Sequence, residues 1–153
     1  MAGLAWLRQQ APLLAAALWW GSLTTIGFLA VPLLFAQLPS PTLAGHMAAR
    51  LFAAQTWVSV GCCLVWLVLS LPKNGIPSAS PGGSAMILIL GGMLLALLLQ
   101  FGVAPRIVAR DNLALWHKVG SAMYVLQWLC ALGLLLRGRQ DQRQDQPQDQ
   151  APG

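Results

Sequence analysis

Six polar residues near the ends of long apolar stretches could bind a ligand. Arginine and lysine bind carboxylates and phosphates, whereas a neutral imidazole accepts a hydrogen bond or ligates a metal. Both histidines of the protein belong to this set, which consists of His46, Arg50, Arg106, His117, Lys118 and Ser121. The residue types point to an anionic or metal-bearing small molecule as the ligand.

We expect His117 and Arg106 to form the core of this candidate site, with Arg50 and Ser121 in support. His117 begins a predicted helix, where free backbone N–H groups and the positive helix end favour an anion or a neutral imidazole. Arg106 follows Pro105, which ends the preceding predicted helix and fixes the direction in which the chain leaves it.

Carboxylates are almost absent outside the C-terminal tail, and this excludes most catalytic arrangements. The chain contains no Glu, and Asp111 is its single Asp before residue 141. There is no carboxylate pair for acid–base work and no Ser/His/Asp set with a buried acid. Cys62, Cys63 and Cys130 lack the CxxC spacing of a redox or zinc site. The sequence therefore favours a function other than catalysis and does not identify a cofactor.

Composition places the chain in the membrane. Hydrophobic residues make up 57% of it and charged residues 8%, which is too few to cover a soluble surface. About 20 apolar helical residues cross a bilayer. Four stretches without any charged residue meet that length, and we place spans near residues 12–36, 49–71, 85–104 and 118–136. The predicted fold is an all-α, integral membrane four-helix bundle.

Four spans put the first and third connectors on one membrane surface and both termini on the other. The candidate site residues lie in or beside these two connectors, so they share that surface. Of the nine Lys and Arg residues, five are on the side of the termini and four on the other side. The positive-inside rule therefore favours cytoplasmic termini in a multi-pass protein of the inner (plasma) membrane.

The composition changes after Leu136, where the chain becomes a low-complexity Gln/Asp sequence with nothing to bury. We therefore divide the chain into a membrane domain, residues 1–137, and a disordered tail, residues 138–153. A net charge of +5 without a basic stripe on a soluble surface argues against nucleic acid as a partner. The expected partners are the lipid bilayer and other membrane proteins.

The two halves of the membrane domain repeat a pattern, which suggests two similar helical hairpins. Phe28 precedes Pro32 by four residues, as Phe101 precedes Pro105, and each histidine precedes a tryptophan by eleven residues. Helical spacing puts His117, Ser121, Tyr124 and Trp128 on one stripe of the last span. The corresponding stripe of the second span is His46, Arg50, Ala53 and Trp57. We expect both stripes, together with Gln100 and Gln127, to face the interior of the bundle.

The segment "AVPLLFAQLPSPTLAGHMAARLF" resembles the first hairpin of the transmembrane-protein-205-like family, a four-helix membrane domain of unknown function. The elements that carry the resemblance are Leu34-Phe35, Leu38-Pro39, Gly45, Leu51-Phe52, Pro105-Arg106 and the pair His117 and Ser121. The resemblance covers roughly residues 12–136 and implies a fold and a topology but no reaction. His46 and Lys118 have no counterpart in it, so their place in the site depends on the residue argument alone.

Three functions remain open. The first is a component of small-molecule or metal-related transport or export that uses the His/Arg face. The second is a haem- or copper-binding bundle in which His46 and His117, on diagonal helices, would be the metal ligands. The third is an assembly or scaffold subunit whose polar face contacts a partner protein.

Overall fold

The computed structural model describes residues 2–69 and 83–144, and all regular secondary structure in these ranges is helical. There are four long helices: α1 (2–37), α2 (Pro41–Leu69), α3 (Gly83–Val108) and α4 (Leu113–Gln144). Each contains a stretch that is long and apolar enough to cross a bilayer. The predicted all-α, four-span fold is confirmed, and the protein is a multi-pass membrane protein.

The helices extend beyond the predicted spans at most of their ends. In α2 the difference is eight residues, because this helix begins at Pro41 rather than near residue 49. A proline at the first helical position needs no hydrogen-bond acceptor, and Ser40 before it caps the helix by accepting a bond from the Leu43 N–H at 3.2 Å. His46 and Arg50 consequently lie within α2 rather than at its start.

The four helices are arranged as a square in which α1 packs on α2 and α4, and α3 packs on α2 and α4. The pair α2 and α4 therefore lies on a diagonal. Trp19 and Leu23 of α1, Cys63 of α2, Ile89 of α3 and Leu134 of α4 form the centre of the apolar core. Each of these side chains is almost completely inaccessible to solvent, so the middle of the bundle is filled.

Small residues allow the closest helix approach, as expected for packing in a membrane. Gly92 is buried, and a Cβ built on it would overlap the Trp19 ring, with Cζ2 at 2.8 Å. Ala96, one turn further along α3, is also buried. Gly21 and Thr25 of α1 do not have this role, since Gly21 has open space around it and Thr25 is exposed.

Two π-helical segments interrupt α1 and α3 at Thr25–Ala30 and Leu99–Val103. Each is followed by a proline, Pro32 or Pro105, which has no N–H and whose ring would clash with the carbonyl four residues earlier. Those carbonyls belong to Phe28 and Phe101. The wider π turn accommodates the clash, so the Phe-to-Pro repeat of the sequence corresponds to the same backbone feature in both hairpins.

The last helix continues through residues 138–144, which the sequence assigned to the tail. After Gly138 this segment consists of Gln, Arg and Asp, without a helix breaker before Pro147. Residues 145–153 lie outside the described ranges, and the division of the chain at residue 137 stays a prediction.

Candidate functional site

A network of four polar side chains crosses the centre of the bundle and joins α1, α2 and α4. Gln55 Nε2 donates to Ser22 Oγ at 2.9 Å and to Ser59 Oγ at 3.4 Å. Gln127 Nε2 donates to Ser59 Oγ at 2.9 Å and so bridges the diagonal between α2 and α4. Gln55 lies about 21 Å along α2, a helix of 29 residues and about 43 Å, so the network is near mid-membrane.

The hydroxyl groups fix the orientation of both amides. Ser59 Oγ donates to the backbone carbonyl oxygen of Gln55 at 2.9 Å, and Ser22 Oγ donates to the backbone carbonyl oxygen of Trp19 at 3.0 Å. Both hydroxyl protons are thus used, and the two amides must donate to the oxygens. The network locks three helices together, since unsatisfied polar groups are costly in hydrocarbon. Of these four residues, only Gln127 was predicted from the sequence to lie in the interior. The spacing of four residues between Gln55 and Ser59 was the signal for that pair.

Aromatic side chains of α4 pack against the π-helical segment of α1. Tyr124 donates to the Leu23 carbonyl oxygen at 2.8 Å, and its ring lies over Gly27, where a Cβ would come within 2.5 Å of Cε1. Trp128 Nε1 donates to Thr24 Oγ1 at 2.8 Å. The inward direction predicted for Tyr124 and Trp128 is therefore confirmed.

Of the other residues predicted to face inward with the two stripes, Ala53 and Gln100 are half-buried, and the remaining stripe residues do not face the interior. His117 and Ser121 are exposed, although α3 packs against α4 at this level, where a Cβ on Gly120 would lie 3.3 Å from Val103 Cγ1. In α2, His46 and Arg50 are exposed, and Trp57 is 63% exposed. The buried face of α2 is built instead from small residues, since these let the neighbouring helices approach: Ala44, Ala48, Ser59, Cys62 and Cys63.

All candidate site residues lie at the end of the bundle that carries the connectors 38–40 and 109–112. The cationic end, as we name it, consists of His46, Arg50, Arg106, Arg110, His117 and Lys118. All six side chains are exposed, as is Ser121 beside them. The structure thus brings the predicted residues to one end, on the surface of the bundle rather than in its interior.

The Arg106 guanidinium is held above the Trp116 ring, with Cζ 4.3 Å from the ring centroid. Arg106 lies in the last turn of α3 and Trp116 in the first turns of α4, so this cation–π contact spans the third connector. Within residues 2–69 and 83–144, no hydrogen bond or ion pair occupies the N–H donors of Arg106. The contact with Trp116 favours this position of the guanidinium and, within the described residues, leaves its N–H donors available.

A Schellman motif closes α3 and directs the chain into α4. The Arg110 N–H bonds to the Ile107 carbonyl and the Asp111 N–H to the Arg106 carbonyl, both at 3.1 Å. Arg110 occupies the left-handed position of this motif with φ 58°, and Asn112 follows with φ 39°. Asparagine tolerates that region well, but an arginine there is unusual, because glycine is the residue that helix ends favour.

The two histidines lie on the diagonal helices α2 and α4 but both are exposed, so their imidazoles do not meet inside the bundle. In the described part of the chain, no group of three or more His, Cys, Asp or Glu side chains could hold a metal ion. Ligation of haem or copper by His46 and His117 stays a prediction without support from this geometry.

The residues that carried the family resemblance also cluster near this end. Pro39 lies in the first connector, and Phe35 is an exposed residue of the preceding turn. Gly45 has open space around it, whereas Phe52 packs edge-on against Tyr124 at a centroid distance of 5.3 Å. Pro105 follows the π-helical part of α3 and lies within this helix. The prediction that Pro105 ends the helix was wrong, because a proline is tolerated at the start of the α-helical turn that continues to Val108.

Comparison with known proteins gives one match. Residues 14–114 match the model of a family described as a domain of unknown function, DUF4149. This range contains α2 and α3 complete, most of α1 and the first two residues of α4. No curated protein and no solved structure matches the chain. The chain belongs to the DUF4149 family, a domain of unknown function in a membrane-spanning four-helix bundle.

Proposed function

We propose that this protein is a component of a small-molecule transport or export system that binds an anionic group at its cationic end. The observation that carries the proposal is the pair of arginines at the end of α3 and in the connector that follows it. Arg106 lies over Trp116, and no partner within residues 2–69 and 83–144 occupies its N–H donors. Arg110 occupies a backbone position at which glycine would fit better. A guanidinium with free donors binds carboxylate or phosphate in two parallel hydrogen bonds.

The backbone of Arg110 supports a role for its side chain. A non-glycine residue in the left-handed region costs about 1–2 kcal/mol, and such strain tends to occur at functional sites. Asp111 is adjacent, yet no ion pair joins it to a cation in the described part of the chain. The positive charge of the cationic end is therefore available to a ligand.

Substitutions at the cationic end should weaken anion binding while the bundle stays folded. We expect Arg106→Gln, Arg110→Gly and His117→Gln each to weaken binding of inorganic phosphate about tenfold or more, because a charged hydrogen bond contributes about 1.5–3 kcal/mol. Isothermal titration of the full chain in an uncharged detergent measures the affinity. Arg110→Gly is the most informative variant, because it removes the positive charge and also removes the strain of a left-handed backbone conformation.

The matched control is Arg139→Gln, which removes an exposed arginine at the opposite end of α4. It should bind phosphate like the wild type. Equal affinities for Arg106→Gln, Arg110→Gly and Arg139→Gln would reject the proposed site, and loss of helical circular dichroism would show that a variant had failed to fold.

One observation also favours the assembly or scaffold function. The centre of the bundle is filled by the Trp19 ring against Gly92 and by the polar network of Gln55, Ser59 and Gln127. A passage for a small molecule would therefore have to lie between this chain and a partner. Mass spectrometry of the complex purified in mild detergent identifies such a partner, and recovery of the chain alone would count against both functions that require one.

The proposal includes the inner membrane and cytoplasmic termini, and thus a cationic end on the translocated side. A reporter that is active only in the cytoplasm should be active when fused after Arg139. It should be inactive when inserted beside Ser40 or Asn112, which lie in the connectors of the cationic end. Activity at the two connectors alone would invert the topology.

The transmembrane-protein-205-like relationship belongs to the proposal as well. Its more specific elements are Phe35 with Leu38-Pro39, and Pro105-Arg106. These elements lie in or beside the two connectors of the cationic end. A relationship of this kind would make that end the shared functional surface of both families.

A further inference from the structure

We infer that the ligand of the cationic end is the phosphate headgroup of an anionic membrane phospholipid, one whose headgroup carries a net negative charge. This inference depends on the proposed anion site and names the class of molecule that occupies it. Three features of the cationic end support it: the neighbours of the charged residues, their depth along the helices, and their open position on the outside of the bundle.

Exposed apolar side chains lie on the same helical turns as the charged ones. In α2, Leu43 and Met47 are 44% and 43% exposed beside His46 and Arg50. In α4, Leu115 is 49% exposed two residues before His117. A free anion in water gains nothing from this apolar surface. A phospholipid is complementary to both the charged and the apolar residues, since its phosphate binds the cations while its acyl chains cover the apolar side chains.

The charged residues lie at the depth of the headgroups. A helix of about 43 Å centred on a hydrocarbon core of about 30 Å projects about 7 Å at each end. Arg50, about 14 Å from the start of α2, is therefore below the boundary and must extend its side chain outward to reach polar groups. His117 lies about 6 Å from the start of α4, close to the boundary. Headgroup phosphates are found at this level.

The position of the site on the bundle surface gives a lipid direct access. Binding sites for soluble small molecules are mostly concave and bury most of the ligand. Here all six side chains of the cationic end are exposed, and the interior beneath them is closed by Tyr124 and Phe52. A lipid reaches such a site by lateral diffusion without leaving the bilayer.

The test compares an anionic with a zwitterionic phospholipid that has the same acyl chains. The full chain is incubated with an equimolar mixture of phosphatidylglycerol and phosphatidylcholine with identical acyl chains, and bound lipid is measured by native mass spectrometry. We expect a clear preference for phosphatidylglycerol. A cation near an anionic lipid contributes about a fivefold change in affinity, so Arg50→Gln and Arg106→Gln should each reduce the preference about fivefold.

The control Arg139→Gln, at the other end of α4, should keep the preference of the wild type. A preference that survives Arg50→Gln and Arg106→Gln combined would overturn the inference, as would equal binding of the two lipids. Titration with inorganic phosphate separates the inference from the proposal on which it depends. Phosphate binding that requires Arg106, without a lipid preference, would reject the lipid and retain the anion site; absence of both would reject both.

Discussion

Replacing Gly92 with alanine is expected to destabilise the bundle by about 2 kcal/mol or more. The added Cβ would overlap the Trp19 ring and lie 3.4 Å from Cys130 Cβ. Trp19 is 1% exposed, so its ring has no free space into which it can move. Overpacking of a filled core costs about 1–3 kcal/mol because side chains and backbone must shift. Unfolding in detergent, followed by far-UV circular dichroism, measures the difference.

The adjacent Gly91 provides a matched control in the same turn of α3. A Cβ at Gly91 meets no atom within 4 Å, so Gly91→Ala should be neutral or stabilising by up to about 1 kcal/mol through helix propensity. Replacing Trp19 with leucine in the Gly92→Ala background should recover part of the loss, since it removes the ring that the methyl group meets. Similar stabilities of the two alanine variants would contradict this packing.

Replacing Ser59 with alanine is expected to destabilise the bundle by about 1–3 kcal/mol. The Ser59 hydroxyl accepts hydrogen bonds from the amides of both Gln55 and Gln127. Its removal leaves Gln127 Nε2 without this acceptor in a buried site, and Gln55 keeps only Ser22. The cost is moderated if the unfolded chain finds other partners within the membrane, where a single hydrogen bond contributes about 0.6–2 kcal/mol.

A double-mutant cycle tests whether Ser59 acts through the network. Gln127→Leu removes the donor on α4, so the combination of Gln127→Leu with Ser59→Ala should destabilise less than the sum of the single changes. Thr25→Ala is the control, because Thr25 is an exposed hydroxyl residue in a spanning helix. Strictly additive effects of Ser59 and Gln127 would show that the bond across the diagonal contributes nothing.

The number of helices and the location of the charged residues followed from the sequence alone. Inside a bilayer no water is available, so the backbone N–H and C=O groups must form hydrogen bonds with each other. An apolar stretch of about 20 residues is therefore predicted to be a helix even when the neighbouring helices are unknown. Four such helices require the first and third connectors to emerge on one side. Arg106, His117 and Arg50 were therefore predicted to lie at one end of the bundle, and the structure has them there.

The rotation of each helix about its axis could not be predicted in the same way. In a soluble bundle the apolar stripe marks the buried face, but in a bilayer the lipid and the core are equally apolar. Only the polar residues could indicate the inner face. In α4 they did so correctly at Tyr124 and Trp128, whose side chains form hydrogen bonds with α1. The same argument was wrong for α2, in which Trp57 faces outward.

Close contacts between particular helices determined which residues meet in the core of the bundle. Trp19 fits against α3 only because Gly92 has no side chain, and Ser59 meets Gln127 only because α2 and α4 face each other across the centre. These pairs are 73 and 68 residues apart in the chain, and no local pattern relates them. Their formation depends on which helix faces which, and that is set by packing of small residues and by satisfaction of buried hydrogen bonds after the helices have formed.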